Sequence, residues 1–359
     1  MTTMQEIASL FEIEGGITDI QPLGNGLIND TFKVCTTQGA PDYVLQRINN
    51  AIFTDVELLQ RNIEAVTAHI RRKLELAGEA DIDRKVLSFV KVKGSDNTWL
   101  CHEGKYWRMS VFIPDALTYE AVTPEYSYFA GKAFGNFEAM LSDIPGTLGE
   151  TIPDFHNMEL RSRQLQEAVA ADKAGRMADP EVKEILADLM QYDDQMCKAE
   201  RMYREGILPK RICHCDTKVN NMLFDKDGNV LCVIDLDTVM PSFVFSDFGD
   251  FLRTGANAVA EDDPDIGKVE FRMDIFEAFS KGYLESTASF LTPVERENLP
   301  YGALLFPYMQ AVRFFADYLN GDTYYKIRYP EHNLVRTRNQ LALFHSALSR
   351  YDRMKEIIG

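Results

Sequence analysis

The chain has 359 residues, 45% of them hydrophobic, which exceeds one typical domain and is ample for a substantial core. Its 55 acidic against 38 basic residues give a net charge of −17 with no run of lysines or arginines, which excludes nucleic acid as an expected partner, because binding a phosphate backbone needs clustered positive charge. No stretch approaches the ~20 apolar residues of a membrane span, and six scattered cysteines in so large a chain fit a reducing compartment, so a cytoplasmic protein without a membrane partner is expected.

In chain order, the opening Met1-Thr2-Thr3-Met4-Gln5-Glu6 has neither the basic start nor the apolar run of a secretory leader. Residues 1–115 then read as a small, strand-rich lobe interrupted by one helix. Strands are predicted over 18–23, 29–35 and 43–48, with turns at Gly24-Asn25-Gly26 and Gly39-Ala40-Pro41. A helix is predicted over 55–76: Val56, Leu59, Ile63, Val66, Ile70 and Leu74 recur at threes and fours, and Thr54 with Glu57 forms a capping box. Strands follow over 86–92 and 106–112, with 98–101 a further short one. Ile113-Pro114-Asp115-Ala116 breaks the pattern, and residues 116–359 read as a second, larger and mainly helical lobe. There, 125–141 reads as a helix, 142–180 as a polar loop with a short helix, and 181–204 as a helix leading into the most informative segment; from 274 onward come further helices, including 307–319 and 335–354. No internal repeat or low-complexity tract is present.

The informative segment is Cys213-His214-Cys215-Asp216-Thr217-Lys218-Val219-Asn220-Asn221-Met222-Leu223-Phe224, followed by Val233-Ile234-Asp235-Leu236-Asp237. Phosphoryl transfer needs a carboxylate to orient and deprotonate an incoming hydroxyl, and oxygen ligands that hold Mg²⁺ against a triphosphate. Asp216 fits the first role, Asn221 and Asp235 the second. Between the latter two, Asp225-Lys226-Asp227-Gly228-Asn229 reads as the turn of a short hairpin that returns the chain, bringing Asn221 at its entrance and Asp235 at its exit to one end. Each residue alone reads as an ordinary turn or capping group; the ordered set carries the chemistry. Asp237 is a second acid for metal or substrate, while Asp247 and Asp250 read as supports that orient His214 or cap the following helix. Cys213-His214-Cys215 lacks the second Cys/His pair of a zinc site.

His-x-Asp-x-x-x-x-Asn followed by Ile-Asp resembles the aminoglycoside phosphotransferase superfamily, which shares the protein-kinase fold. Gly24-Asn25-Gly26-Leu27-Ile28-Asn29-Asp30-Thr31, Leu45-Gln46-Arg47-Ile48-Asn49, Thr151-Ile152-Pro153-Asp154-Phe155-His156-Asn157, Ser246-Asp247-Phe248-Gly249-Asp250 and Leu319-Asn320-Gly321-Asp322-Thr323-Tyr324-Tyr325 look more narrowly like the N-acetylhexosamine 1-kinase family. The resemblance implies a bilobal α+β, kinase-like fold, with a small antiparallel-sheet lobe bearing one helix and a larger helical lobe. It also implies ATP and Mg²⁺ as cofactors, and phosphorylation of the anomeric hydroxyl of N-acetylglucosamine or N-acetylgalactosamine. A monomer or weak homo-oligomer is expected.

On the nucleotide side, Gly24 and Gly26 are candidates to cover the triphosphate, although Asn29 stands where a third glycine would be, and a Gly-Asn-Gly hairpin turn is the plain alternative. Where a kinase strand carries a lysine, this chain offers Gln46 or Arg47, and a one-residue shift decides which faces the phosphates; the sequence leaves both open. Glu64 is a candidate ion-pair partner for such a cation or simply an exposed helix acid, and Ile113 marks a hinge to the adenine or a linker. On the acceptor side the resemblance favours Arg313 and Tyr324 as sugar contacts, with His156 and Asn157 from a nearby loop. Arg313 and Asp317 lie four apart on a helix, as an ion pair or as polar groups facing a ligand. Other acceptors remain open: another hexose, a choline-like amino alcohol, an aminoglycoside, or none, in a catalytically silent kinase fold.

Overall fold

The structure is a computed structural model that describes residues 3–24, 28–119 and 122–359. It has two compact units: Met1–Thr118 with Asp143–Pro153 and Met222–Met240, and Tyr119–Ser142 with Asp154–Asn221 and Pro241–Gly359. The first unit thus adds two later segments to the strand-rich lobe, one of them the hairpin after Asn221. The α+β, kinase-like architecture expected from the sequence is the one observed.

The first unit is built on an antiparallel sheet of β1 (Ile17–Pro22), β2 (Asp30–Thr36), β3 (Tyr43–Ile48), β4 (Trp99–His102) and β5 (Lys105–Val111), in the order β1-β2-β3-β5-β4. Side chains alternate between faces of a strand. One face buries Val34, Tyr43, Leu45, Trp107 and Met109 with Ile7 and Phe11 from the N-terminal segment. The opposite face carries Gln46 on β3 and, in direct register with it, Arg108 on β5. Such a face is where polar chemistry can sit without breaching the apolar core.

The predicted helix is present at Val56–Leu76 and buries Leu59, Ile63, Val66 and Ile70. Its cap falls one residue later than expected: Asp55, not Thr54, accepts the Leu58 N–H at 2.8 Å, and a carboxylate also suits the helix dipole. The predicted strand 86–92 yields only isolated bridges, Phe89 to Ser110 and Phe11 to Val92. Its backbone groups are shared among several partners: Val90 donates to Met109, Lys91 accepts from Glu12, and Val92 donates to Asn97.

The second unit is mainly helical. The predicted 181–204 helix is two helices, Pro180–Met196 and Lys198–Arg204, parted where Cys197 leaves helical geometry at ψ 1°. The polar 142–180 stretch holds a 14-residue helix, Met158–Ala171. The predicted 307–319 helix begins much earlier, at Leu299, with Pro307 inside it; 19 of its residues are buried, so it lacks the one-sided polarity that marks a surface helix. The tail pattern resolves into His332–Leu348 and Tyr351–Ile358. The helix Val244–Gly255 crosses Leu299–Leu319 at Gly249 and Gly302, whose missing side chains let the two backbones touch. Among the described residues no helix is long and apolar enough to cross a membrane.

Candidate active site

In the second unit, the loop after the short strand Arg211–Cys213 is held from below by the helix Val244–Gly255. Asp247, fully buried, accepts the backbone N–H of His214 at 2.6 Å and of Cys215 at 2.7 Å. One turn further on, Asp250 accepts the Thr217 N–H at 2.8 Å. These charge-assisted bonds fix the backbone on both sides of Asp216. His214 braces the loop: its buried ring lies edge-on to Phe134 and Phe137, and its Nδ1 accepts the Asp216 N–H at 3.3 Å. Cys215 has a left-handed φ of 62°, a strained backbone of the kind that clusters at functional sites.

Asp216 remains partly exposed, and the Lys218 ammonium lies 2.7 Å and 2.8 Å from its two oxygens. With side chains 43% and 25% exposed, such a pair is worth under about 1 kcal/mol, so an incoming group displaces it at little cost. Asn221 donates through Nδ2 to the Asp216 main-chain oxygen at 2.7 Å, which fixes the amide and leaves Oδ1 as its acceptor atom.

Burial pushes the Asp247 carboxyl up to about 6 against the opposing pull of His214 and the two backbone N–H groups, and burial likewise raises Asp250 to about 6, opposed chiefly by Arg253. Glu138 faces Asp247 from the helix Pro124–Leu141; burial and the Asp247 charge hold it well above the carboxylate range, and the Tyr283 hydroxyl donates to it. Turnover is therefore expected to fall as pH drops through about 6, because a protonated Asp247 weakens both loop bonds. Stability moves the other way. With folded values above the unfolded carboxylate value of about 3.9, the native state holds the extra protons, so the contribution of these acids is full below that value and lost as pH rises through about 6. A pH–rate profile run beside denaturant melts checks this, with Asp247→Asn flattening the acid limb.

In the first unit, the Met222–Phe224 and Val230–Val233 strands pair as the predicted hairpin. Asp235 follows in left-handed geometry, φ 60° and ψ 57°, and opens the turn Leu236–Thr238. Asp237 on that turn is buried: its Oδ2 accepts from Asn29 Nδ2 at 2.6 Å, and its Oδ1 lies 2.5 Å from Arg108 Nη2. The turn is also held at Val239, whose carbonyl accepts from Asn62 on the helix Val56–Leu76 at 3.2 Å.

Gln46 and Arg47 lie on opposite faces of β3. Gln46 shares the Arg108 face, accepting from Arg108 Nε at 2.9 Å and donating to Thr31 at 3.3 Å. Arg47 is on the other face, 41% exposed and paired with Asp30. Glu64 pairs with neither; it accepts from the Thr98 hydroxyl, because the strand Trp99–His102 brings Thr98 alongside the helix. Gly24 has a φ of 70°, which a side chain would disfavour, and Gly26 lies outside the described residues. Ile113 is buried at the end of the sheet.

Returning to the second unit, His156 stacks on Phe155 at 4.4 Å and meets Phe306 edge-on at 4.8 Å; its Nδ1 is buried without a partner. Burial, reinforced by Arg313, Arg161 and Arg253, lowers His156 to about 3, so its ring is neutral. Arg313 lies 6.0 Å from the Phe155 ring and 5.7 Å from the Tyr325 ring and donates to Gln310 at 3.3 Å. Arg161 pins the loop through the carbonyls of Asp154 and Phe155 at 3.2 Å and 2.8 Å; burial and Arg313 bring it down to about 10. Among the described residues neither Arg161 nor Arg313 has a carboxylate within 4.0 Å. Arg253, ion-paired with Glu261 at 2.9 Å, links this cluster to the Asp216 loop, since it also feels Asp250 and Tyr325.

Two expectations change here. Asn157 caps the helix Met158–Ala171 through Leu160 N–H at 3.1 Å and donates to Asp154 at 2.7 Å, so its amide has a structural role that the sequence reading did not give it. Asp317 forms no ion pair with Arg313. Instead it accepts the N–H groups of Thr323, Tyr324 and Tyr325 at 2.9, 2.9 and 3.0 Å, and so presents Tyr324, which is 72% exposed.

The sequence pattern of the phosphotransferase enzyme family matches residues 19–284, more than half of the chain. The chain belongs to that family. Its fold is shared with an aminoglycoside phosphotransferase from Alicyclobacillus acidocaldarius, at TM-score 0.61 and 12% identity over 98% of this phosphotransferase and 97% of that chain. A spectinomycin phosphotransferase solved with ADP and spectinomycin matches at TM-score 0.55 and 14% identity, over 96% of this chain and 97% of its own. A Plasmodium vivax ethanolamine kinase matches at 0.55 and 13%, over 92% and 84%. At such identities the likeness is one of fold. Three polar groups of this phosphotransferase, Arg108, Arg161 and Lys218, were not singled out by sequence reasoning. Lys218 alone had a local signal, two residues after Asp216 on the same loop.

Proposed function

We propose that this phosphotransferase moves the γ-phosphoryl group of ATP to the anomeric hydroxyl of N-acetylglucosamine or N-acetylgalactosamine, giving the sugar 1-phosphate. Nucleotide use is supported by the family and by the ADP bound in the spectinomycin phosphotransferase. The acceptor class rests on one observation: Arg161 and Arg313 adjoin a neutral histidine, and among the described residues neither forms an ion pair within 4.0 Å, the Asp154 charge acting on Arg161 only from further away. An aminoglycoside, choline or ethanolamine would bring an ammonium against these guanidiniums, a repulsion that a partly desolvated site does not screen. An acetamido sugar offers carbonyl and hydroxyl oxygens to the same donors and an apolar ring face to Tyr324.

In this reading Asp216 accepts the hydrogen bond of the C1 hydroxyl and takes its proton as the C1 oxygen bonds to the γ-phosphorus. The bond from that phosphorus to the β,γ-bridging oxygen breaks and ADP leaves. Asp247 and Asp250 keep Asp216 in place, so the geometry is set before the acceptor arrives. Mg²⁺ would neutralise triphosphate charge, and the oxygen donors of Asn221 and Asp235 suit that hard cation.

The test is kcat/KM across acceptors of different charge at one pH. N-acetylglucosamine or N-acetylgalactosamine should be used well, glucosamine at least about tenfold less well, as expected for a charge penalty of about 1.4 kcal/mol, and choline and kanamycin not at all. Efficient turnover of a cationic acceptor with none of the acetamido sugars would overturn the assignment.

A further inference from the structure

Chemistry at a nucleotide's terminal phosphate needs fixed positive charge beside the polyphosphate. The strand position that ordinarily supplies it is occupied here by a neutral amide, Gln46, while Arg47 faces the other way and is paired with Asp30. Lys33 on β2 shares this face but is paired with Asp42 at 3.0 Å; the buried cation beside Gln46 is Arg108, on the neighbouring strand β5 and in direct register with it. Arg108 is 3% exposed. Its Nε donates to Gln46 Oε1 at 2.9 Å, and its Nη2 lies 2.5 Å from Asp237, whose other oxygen is taken by Asn29. The Phe89 ring lies 5.8 Å from the guanidinium. Only Nη1 is left: it is buried and, among the described residues, has no hydrogen-bond partner.

An orphan donor on a well-held guanidinium is informative, because roughly 90% or more of buried polar groups in folded proteins find an acceptor. The planar fork is fixed on two of its three nitrogens, so the third points in one direction at no further entropic cost. Asp237 compensates the charge, and Gln46 adds an acceptor without adding a second charge. What the described residues do not supply is an oxygen for Nη1.

We propose that Arg108 is the phosphate-binding cation of this phosphotransferase, with Nη1 donating to a phosphate oxygen of a bound nucleoside di- or triphosphate. Gln46 and Asp237 are the groups that aim it. Arg108 thereby replaces, from the adjacent strand, the lysine missing from β3. The inference rests on the nucleotide use proposed above.

The experiment is calorimetric titration of the intact protein, wild type and Arg108→Met, with ADP and separately with adenosine. Both proteins are checked by thermal melts, and Arg108→Lys, which keeps the charge but not the fork, serves as a second variant and stands in if Arg108→Met does not fold. Wild type should prefer ADP. In Arg108→Met the ADP affinity should fall roughly 10- to 100-fold, as for loss of a hydrogen bond between charged groups, with adenosine affinity unchanged and Arg108→Lys intermediate. If ADP and adenosine weaken equally, Arg108 serves the fold and the proposal is wrong. It is equally wrong if neither changes, which would mean that water fills the Nη1 position. Wild type that binds neither ligand, or binds both alike, would remove the nucleotide reading itself, an outcome distinct from the other two.

Discussion

Asp216→Asn should lower kcat by about 10³-fold, within the ~10²–10⁴ range typical for loss of a positioned acid or base, while leaving the fold intact. Asparagine has the same shape but cannot take the acceptor's proton. The folded state loses little, because among the described residues the side chain has only the half-exposed Lys218 as an ion-pair partner, and the loop bonds to Asp247 and Asp250 use the backbone of other residues. A shift in unfolding free energy under about 1 kcal/mol is therefore expected, and nucleotide affinity should be unchanged. Steady-state kinetics beside a chemical melt separate the two effects. A variant that keeps a tenth or more of wild-type kcat would remove Asp216 from its proposed role.

Gly249→Ala should be among the most damaging single methyls in the second unit. A Cβ at this position would lie 2.2 Å from the Gly302 carbonyl oxygen, 2.6 Å from its carbon and 2.7 Å from the Phe306 ring. Two of those three atoms are backbone of a helix buried almost throughout, so nothing flexible can yield and the helices must part. Overpacking of this kind costs about 3 kcal/mol or more, even though alanine is the better helix former by about 1 kcal/mol. The displaced helix carries Asp247 and Asp250, so activity should fall further than the loss of folded protein explains. Gly255→Ala on the same helix is the control: its added carbon meets only the Phe251 ring, at 3.0 Å. Equal urea midpoints for the two variants would contradict the close helix crossing.

The features legible in the sequence are those that act locally. Apolar residues at threes and fours marked the helix Val56–Leu76, and an Asp-Gly turn between short apolar runs marked the hairpin beyond Asn221. The loop of Asp216 and Asn221 was visible because five residues of spacing carry its chemistry, and Asp247 and Asp250 were read as its supports before their bonds to His214, Cys215 and Thr217 were seen. One local signal was misjudged, Asp55 taking the cap in place of Thr54, and another was missed, the role of Asn157 in beginning a helix.

What stayed hidden depends on distant partners. Arg108 stands among apolar residues of an ordinary strand pattern, and only register with Gln46 and the approach of Asp237 give it meaning. The guanidiniums of Arg161 and Arg313 are brought together by folding, since they lie on separate helices. Asp317 looked like half of an ion pair four residues from Arg313; its use by three successive N–H groups beyond the helix end follows from the return of the chain at Gly321, with φ 92°. The helix Leu299–Leu319 is apolar and buried around nearly all of its surface, with Gln310 and Arg313 outside the buried set, which removes the pattern that would announce its start.

The central claim, transfer to an anomeric oxygen, is tested most directly by the phosphorus NMR spectrum of the product formed from Mg-ATP and N-acetylglucosamine. A phosphate resonance coupled to the anomeric proton, with equimolar ADP and no such product from Asp216→Asn, is the result expected. Phosphate on the C6 or another ring oxygen, or ATP consumed with the sugar unchanged, would contradict it.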